Sequence, residues 1–133
     1  KTFQSIFFEK PLPFLIHEFW EQDFGDWEGL PYGDIPDQGA LSGQDLVQFS
    51  PPNGESFSKL CHRTQPPLLK IISERKVGEI AIFTHAGVIR SFLALALGSK
   101  EAALKFSIDN LSITGMQALS CGQFSISFVN QTL

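Results

Sequence analysis

Glu79-Ile-Ala-Ile-Phe-Thr-His85-Ala-Gly-Val-Ile-Arg90 is the stretch on which the reading of this chain turns. Ile80, Ala81, Ile82 and Phe83 make a continuous apolar run, the pattern of a strand buried on both faces of a parallel sheet. Residues 88–97 then carry Ile89, Phe92, Leu93 and Ala96 at helical spacing, which predicts a helix. His85 falls on the turn between the strand's carboxyl end and the helix's amino end, where open α/β sheets bind their ligands. The first N–H groups of such a helix lack partners inside it and point into the turn, so a phosphate or carboxylate is favoured there. Gly87 lets the backbone approach closely. A lone histidine is more often a hydrogen-bonded core residue than a ligand. The order strand, His-Ala-Gly, helix reverses that preference and makes His85 and Ala86 candidates for holding an anion.

Outward from this unit, the pattern is that of an α/β domain. Residues 1–8, Lys-Thr-Phe-Gln-Ser-Ile-Phe-Phe, set Phe3, Ile6 and Phe7 on one helical face and read as the last turns of a longer amphipathic helix, so the chain is expected to begin mid-domain. Pro11 and Pro13 bracket a turn, and residues 14–17 read as a short strand. Residues 18–57 are loop-like, with Gly and Pro recurring throughout and room for one helical turn at Leu46, Val47 and Phe49. A connection of this length is usually a lid or binding loop. Phe57, Leu60, Cys61, Thr64, Leu68, Ile71 and Ile72 share a stripe on a long helix, with a kink or break expected at Pro66-Pro67. Residues 103–109, 111–119 and 124–129 read as strands, the last two joined as a hairpin through residues 120–123.

With 133 residues and 43% hydrophobic content, the chain can bury one core, which fits a single domain. A net charge of −4 without any Lys/Arg cluster argues against nucleic acid and anionic membrane as partners and leaves a small molecule as the expected one. Cys61 and Cys121 lie far apart with no companions at zinc spacing, so a reduced, cytoplasmic protein is the simplest account. The longest apolar stretch, 86–97, contains Arg90 and falls short of the ~20 residues that span a bilayer.

Two further constellations carry chemistry. Phe19-Trp-Glu21-Gln-Asp23-Phe-Gly-Asp26-Trp-Glu28-Gly29 crowds four carboxylates into eight residues, beside two tryptophans. It reads as a solvated acidic loop, as a cation site, or as the seat of a general acid. Cation binding is disfavoured because EF-hand spacing is missing. A carboxyl packed on Trp20 or Trp27 would be partly desolvated, and its protonated form stabilised, as a proton donor requires. The segment Pro51-Pro-Asn-Gly-Glu55-Ser-Phe57 places Ser56 as the cap of the long helix and Glu55 at its positive end. Arg63, two turns on, reads as a structural ion-pair partner.

Taken in order, the acidic loop 19–29, Asn53-Gly-Glu-Ser56 with Arg63, Thr84-His-Ala-Gly-Val-Ile-Arg90 and Val129-Asn130 resemble the histidine phosphatase superfamily, which includes the cofactor-dependent phosphoglycerate mutases. The nearest branch by this resemblance is the α-ribazole phosphatase type, and the likeness covers essentially the whole chain. It implies a three-layer α/β/α fold with a mixed, mostly parallel sheet, and a metal-independent phosphomonoesterase, without a cofactor, acting on a small phosphorylated metabolite through a phosphohistidine. Glu21 matches the family's leaving-group acid and His85 its second, phosphate-binding histidine, with Glu55 and Arg63 supporting. The family's nucleophile stands in an Arg-His-Gly motif at the end of the first strand. That motif is not present: His17 follows Ile16, His62 follows Cys61, and neither precedes glycine. Arg63 and Arg90 do not match the family's phosphate-binding arginines. The resemblance therefore implies that residues 1–133 are the C-terminal two thirds of one domain, lacking its first two strands and inactive alone. A mutase is less favoured, since mutases of the family carry extra basic segments. The rival of another class is a non-catalytic phosphate-binding or regulatory module of the same fold.

Overall fold

The computed structural model describes residues 14–39, 41–75, 78–120 and 122–132. The helix expected over 1–8 and the turn at Pro11 and Pro13 lie outside them. Among the described residues four α-helices follow one another: α1 (Gly43–Gln48), α2 (Phe57–Glu74), α3 (Ala86–Leu97) and α4 (Lys100–Leu104). Strands β1 (Ile113–Ala118) and β2 (Phe124–Gln131) close the order.

α2 begins where the sequence marks it. The Ser56 side chain accepts from the Lys59 N–H at 3.2 Å, satisfying one orphan donor of the first turn. Phe57, Leu60, Cys61, Thr64 and Leu68 are buried, so the expected stripe is the buried face. Pro66 and Pro67 do not break the helix, which runs unbroken to Glu74. Each proline costs roughly 3 kcal/mol inside a helix, and burying a Leu-sized side chain returns about 1.5–3 kcal/mol. The buried stripe continues across the prolines, from Leu60, Cys61 and Thr64 before them to Leu68 after, and its burial offsets much of that cost.

α3 packs on this face with Gly87, Val88, Ser91, Phe92, Leu93 and Ala94, while Ile89 and Ala96 from the expected stripe are only half-buried. It stops at Gly98, whose φ of 65° is left-handed and favours glycine. Polar groups inside the α2–α3 contact satisfy one another: the Thr64 hydroxyl donates to the Leu60 carbonyl at 2.8 Å and meets the Ser91 hydroxyl at 2.5 Å. Val47 of α1 and Ala103 of α4 complete the buried cluster.

Residues 103–109 do not form the expected strand. Ser99 caps α4 by accepting from the Ala102 N–H, Glu101 favours the positive end, and Ala102, Ala103 and Leu104 are strong helix formers. The hairpin appears as read: β1 and β2 pair antiparallel, with register irregularities on either side of Gly115. A Cβ on Gly115 would come within 2.6 Å of the Phe128 ring, so glycine there lets the ring lie over the strand.

Among the described residues the two strands pair only with each other. Residues 79–84 therefore join no ladder with either, and Glu79, Ile80, Ala81 and Phe83 are exposed rather than covered on both faces as the apolar run predicts. Residues 14–16 are likewise irregular and lead into a single 3₁₀ turn, His17–Phe19, in place of the expected strand. The parallel, three-layer arrangement is not among the features the described residues display. No helix among them is long and apolar enough to cross a membrane.

Candidate active site

The acidic loop is held from below at its first residues. Phe19 is buried and meets Phe92 of α3 edge-on, with ring centroids 5.3 Å apart and planes at 76°. The Thr84 hydroxyl donates to the Phe19 carbonyl at 2.7 Å, which ties the loop to the residue just before His85. Arg63 rises from α2 and gathers the backbone of the same loop. Its Nη1 donates to the carbonyls of Glu18 at 2.6 Å and Trp20 at 3.2 Å, and its Nη2 donates to the carbonyl of Glu21 at 3.2 Å.

Glu55 holds Arg63 in turn. Its carboxylate takes Nε at 3.3 Å and a shorter bond from Nη2, the forked geometry that suits guanidinium to carboxylate. Glu55 also reaches the loop directly. Its N–H donates to the Asp23 carbonyl at 2.8 Å, its carboxylate accepts from the Asp23 N–H at 3.2 Å, and its carbonyl accepts from the Gln22 side chain at 3.0 Å. A little further along, Gly25 and Gly54 cross so closely that a Cβ on Gly25 would stand 2.1 Å from the Pro52 carbonyl oxygen.

This support delivers Glu21 to the amino end of α3. Its Oε1 accepts from the N–H of Gly87 at 3.1 Å and from that of Gln22 at 2.9 Å. The Gly87 N–H is one of the unpartnered donors of the first turn, where the helix dipole favours negative charge. An anion does sit at this helix end, and it is the protein's own carboxylate. Gly87 permits the approach: a Cβ there would stand 2.5 Å from Glu21 Oε1 and 3.1 Å from Leu60 Cδ2.

His85 occupies the cap position of the same helix, with extended backbone and no side-chain bond to the first turn, and it is exposed. Ala86, the first residue of α3, is half-buried. Glu21 and His85, 64 positions apart in the chain, are thus brought to one helix end. An open cleft beside it is lined by Glu21, Glu55, Arg63, Glu28, His17 and Trp20 among others, and His85 is not in its wall.

The aromatic surroundings expected for Glu21 are built differently. Trp27 stacks on Phe49, 5.6 Å between centroids, and Trp20 is 68% exposed near His17. The apolar group at the Glu21–Gly87 contact is the buried Leu60. His62 lies exposed on α2, and Arg90 donates to the Phe106 carbonyl at 2.8 Å, which ties α3 to the segment after α4. Among the described residues, no three His, Cys, Asp or Glu side chains converge as a metal site.

The position of His17 and Trp20 in the cleft wall was not read from the sequence, nor was the capture of three loop carbonyls by Arg63. Those bonds span 42 to 45 residues, and a carbonyl carries no sequence signature.

The profile of the histidine phosphatase superfamily (branch 1) matches residues 1–132. The chain belongs to that superfamily. A bifunctional protein of Mycobacterium tuberculosis is 28% identical over 116 residues, which cover 84% of this chain and 32% of the relative. The adenosylcobalamin/α-ribazole phosphatase of Escherichia coli is 26% identical over 114 residues, 81% of this chain and 56% of that enzyme. The chain thus spans about a third to a little over half of the length of these relatives. The crystal structure of the α-ribazole phosphatase from Shigella flexneri superposes with a TM-score of 0.78 at 23% identity, covering 98% of this chain and 67% of that one. Bacillus stearothermophilus YhfR does so with a TM-score of 0.79 at 19% identity, covering 99% and 68%. The α/β fold of this histidine phosphatase chain is the fold of those structures.

Proposed function

We propose that this chain carries the acid and phosphate-binding half of a metal-independent phosphomonoesterase that hydrolyses a small phosphorylated metabolite through a phosphohistidine. One observation carries the reading: Glu21 Oε1 lies 3.1 Å from the Gly87 N–H, on the helix capped by His85. A carboxyl and an imidazole thereby share one helix end, where first-turn N–H groups other than that of Gly87 favour phosphoryl oxygens.

In this reading the nucleophilic nitrogen attacks phosphorus as the bond to the leaving oxygen breaks, while His85 and the Ala86 N–H hold the equatorial oxygens. Glu21 gives its proton to the leaving oxygen. Water then attacks phosphorus as the P–N bond breaks and the imidazole is released, Glu21 takes a proton from that water, and inorganic phosphate leaves. Phosphoryl transfer depends mainly on such positioning and charge stabilisation.

None of His17, His62 and His85 stands in Arg-His-Gly, so in this reading the nucleophile would come from polypeptide beyond these 133 residues. That polypeptide would also supply strands flanking residues 79–84, completing a mostly parallel three-layer sheet, and the 133 residues alone would not turn over. The TM-scores near 0.8 against chains half as long again support this. The buried, unpaired thiol of Cys61 suits a reducing cytoplasm.

The full encoded polypeptide, given a ³²P-labelled phosphomonoester in the presence of EDTA, is expected to trap an acid-labile, base-stable label and to release phosphate. Binding of inorganic phosphate with neither label nor release would support the non-catalytic module instead.

A further inference from the structure

Among the described residues Arg63 is the one Lys or Arg in the wall of the cleft, and on charge alone it would be counted as a ligand for the phosphoryl group. Its hydrogen bonds assign it elsewhere. All three guanidinium nitrogens are engaged within the protein: Nε and Nη2 with the Glu55 carboxylate, Nη1 with the carbonyls of Glu18 and Trp20, and Nη2 also with the carbonyl of Glu21 itself. Turning to a phosphate would cost it the Glu55 fork and the loop together. The pair is only partly open to solvent, with side-chain exposures of 29% for Arg63 and 16% for Glu55.

We infer that the Glu55–Arg63 pair positions Glu21, fixing the backbone that carries the acid so that its carboxyl stays at the amino end of α3. Arg63 and Glu55 are positioning residues in this account. It rests on the reading of Glu21 as the leaving-group acid. The bonds are distributed as the role requires. Arg63 grips the carbonyls of residues 18, 20 and 21, Glu55 grips both backbone groups of Asp23 and the side chain of Gln22, and the acid lies between the two grips. The Glu21 side chain then has only its own rotamers left to vary, and the Gly87 and Gln22 N–H groups settle those. Lysine could keep the charge but not the planar fork that bonds Glu55 and three carbonyls at once.

The test uses the full encoded polypeptide with Arg63→Lys, Glu55→Gln, Glu21→Gln and the double variant Glu21→Gln/Arg63→Lys. Two substrates are compared, an alkyl phosphate whose leaving group needs a proton and p-nitrophenyl phosphate whose leaving group needs little. Arg63→Lys should lower kcat on the alkyl phosphate by about 10-fold or more, the scale of a misplaced catalytic group, and change the p-nitrophenyl rate by less than about threefold. KM should stay within about twofold for both, because no phosphate ligand is lost. In the Glu21→Gln background Arg63→Lys should cost nothing more, since residues acting through one group are not additive.

A selective loss in Glu21→Gln, joined by equal losses on both substrates or a large rise in KM in Arg63→Lys, would overturn the positioning role and make Arg63 a phosphate ligand. Equal losses on both substrates in Glu21→Gln would instead remove the acid, and with it the reading on which the inference stands. Should Arg63→Lys fail to fold, Glu55→Gln carries the same predictions, because it loosens the fork and leaves the arginine in place.

Discussion

Gly87→Ala separates the site's geometry from the chain's stability. The added Cβ would stand 2.5 Å from Glu21 Oε1, against an ordinary contact of about 3.5–4.0 Å, so the carboxylate must retreat by roughly 1 Å. Arg63 holds the Glu21 backbone, which leaves the side chain to make that movement by swinging off the helix end. Leu60 Cδ2, 3.1 Å from the same point, gives by a few tenths of an ångström. On the stability side, the bond from the Gly87 N–H to a half-buried carboxylate is lost at about 1.5 kcal/mol, while alanine returns about 0.5–1 kcal/mol of helix propensity. The net change is about 1 kcal/mol or less, a fall in Tm of roughly 3–5 °C for a domain of this size. On the catalytic side, a 1 Å misplacement of a reacting group costs on the order of 10²-fold. Calorimetry and alkyl phosphate turnover by the full encoded polypeptide therefore diverge, with a small change in Tm and a large loss of kcat. A kcat within about threefold of the parent would refute the claim that the Gly87 contact sets the acid's position.

Two further outcomes follow from the same geometry. Gly25→Ala drives a Cβ to 2.1 Å from the rigid Pro52 carbonyl oxygen at a left-handed φ of 54°, and should cost about 3 kcal/mol in denaturant unfolding. A cost under about 0.5 kcal/mol would show that the crossing of the 23–28 and 51–55 segments yields readily. Burial pushes the Cys61 thiol above its ordinary value of 9.0, with weaker opposing contributions from Ser91 and Lys100. An acid whose pKa is raised by folding stabilises the fold below the unfolded pKa and loses that contribution as pH climbs through the folded value. Unfolding free energy should accordingly fall above about pH 9 more steeply in the parent than in Cys61→Ala, and equal slopes would contradict the burial argument.

The helical half of the molecule was legible in the sequence because its signals are local. Ser56 with the 57–68 stripe set the start and buried face of α2, and the helical spacing over 88–97 set α3. The hairpin followed from two apolar runs around residues 120–123, while of the strand expected over 103–109 the first two residues join α4, an Ala-Ala-Leu segment behind a serine cap, and residues 105–109 are irregular. At Pro66-Pro67 the expected break is absent, because the buried stripe continues across the prolines. Residues 79–84 show where local pattern stops: an apolar run specifies a strand only when something lies alongside it, and β1 and β2 pair with each other. For the site, His85-Ala-Gly87 pointed to the amino end of α3, while the residues of the acidic loop left three uses open and only the family resemblance singled out Glu21. That Glu21 itself occupies that end, and that Arg63 serves the loop backbone, depends on bonds spanning 42 to 66 residues, which no window of sequence contains.

The most direct measurement is the leaving-group dependence of Glu21→Gln in the full encoded polypeptide. Glutamine keeps the shape and can still accept from the Gly87 N–H through its carbonyl oxygen, but it has no acidic proton to give. An alkyl phosphate should be hydrolysed about 10²-fold or more slowly, the usual scale of general acid catalysis, and p-nitrophenyl phosphate at nearly the parent rate. Equal losses on both substrates, or none on either, would contradict the account of Glu21 as the proton donor at the amino end of α3.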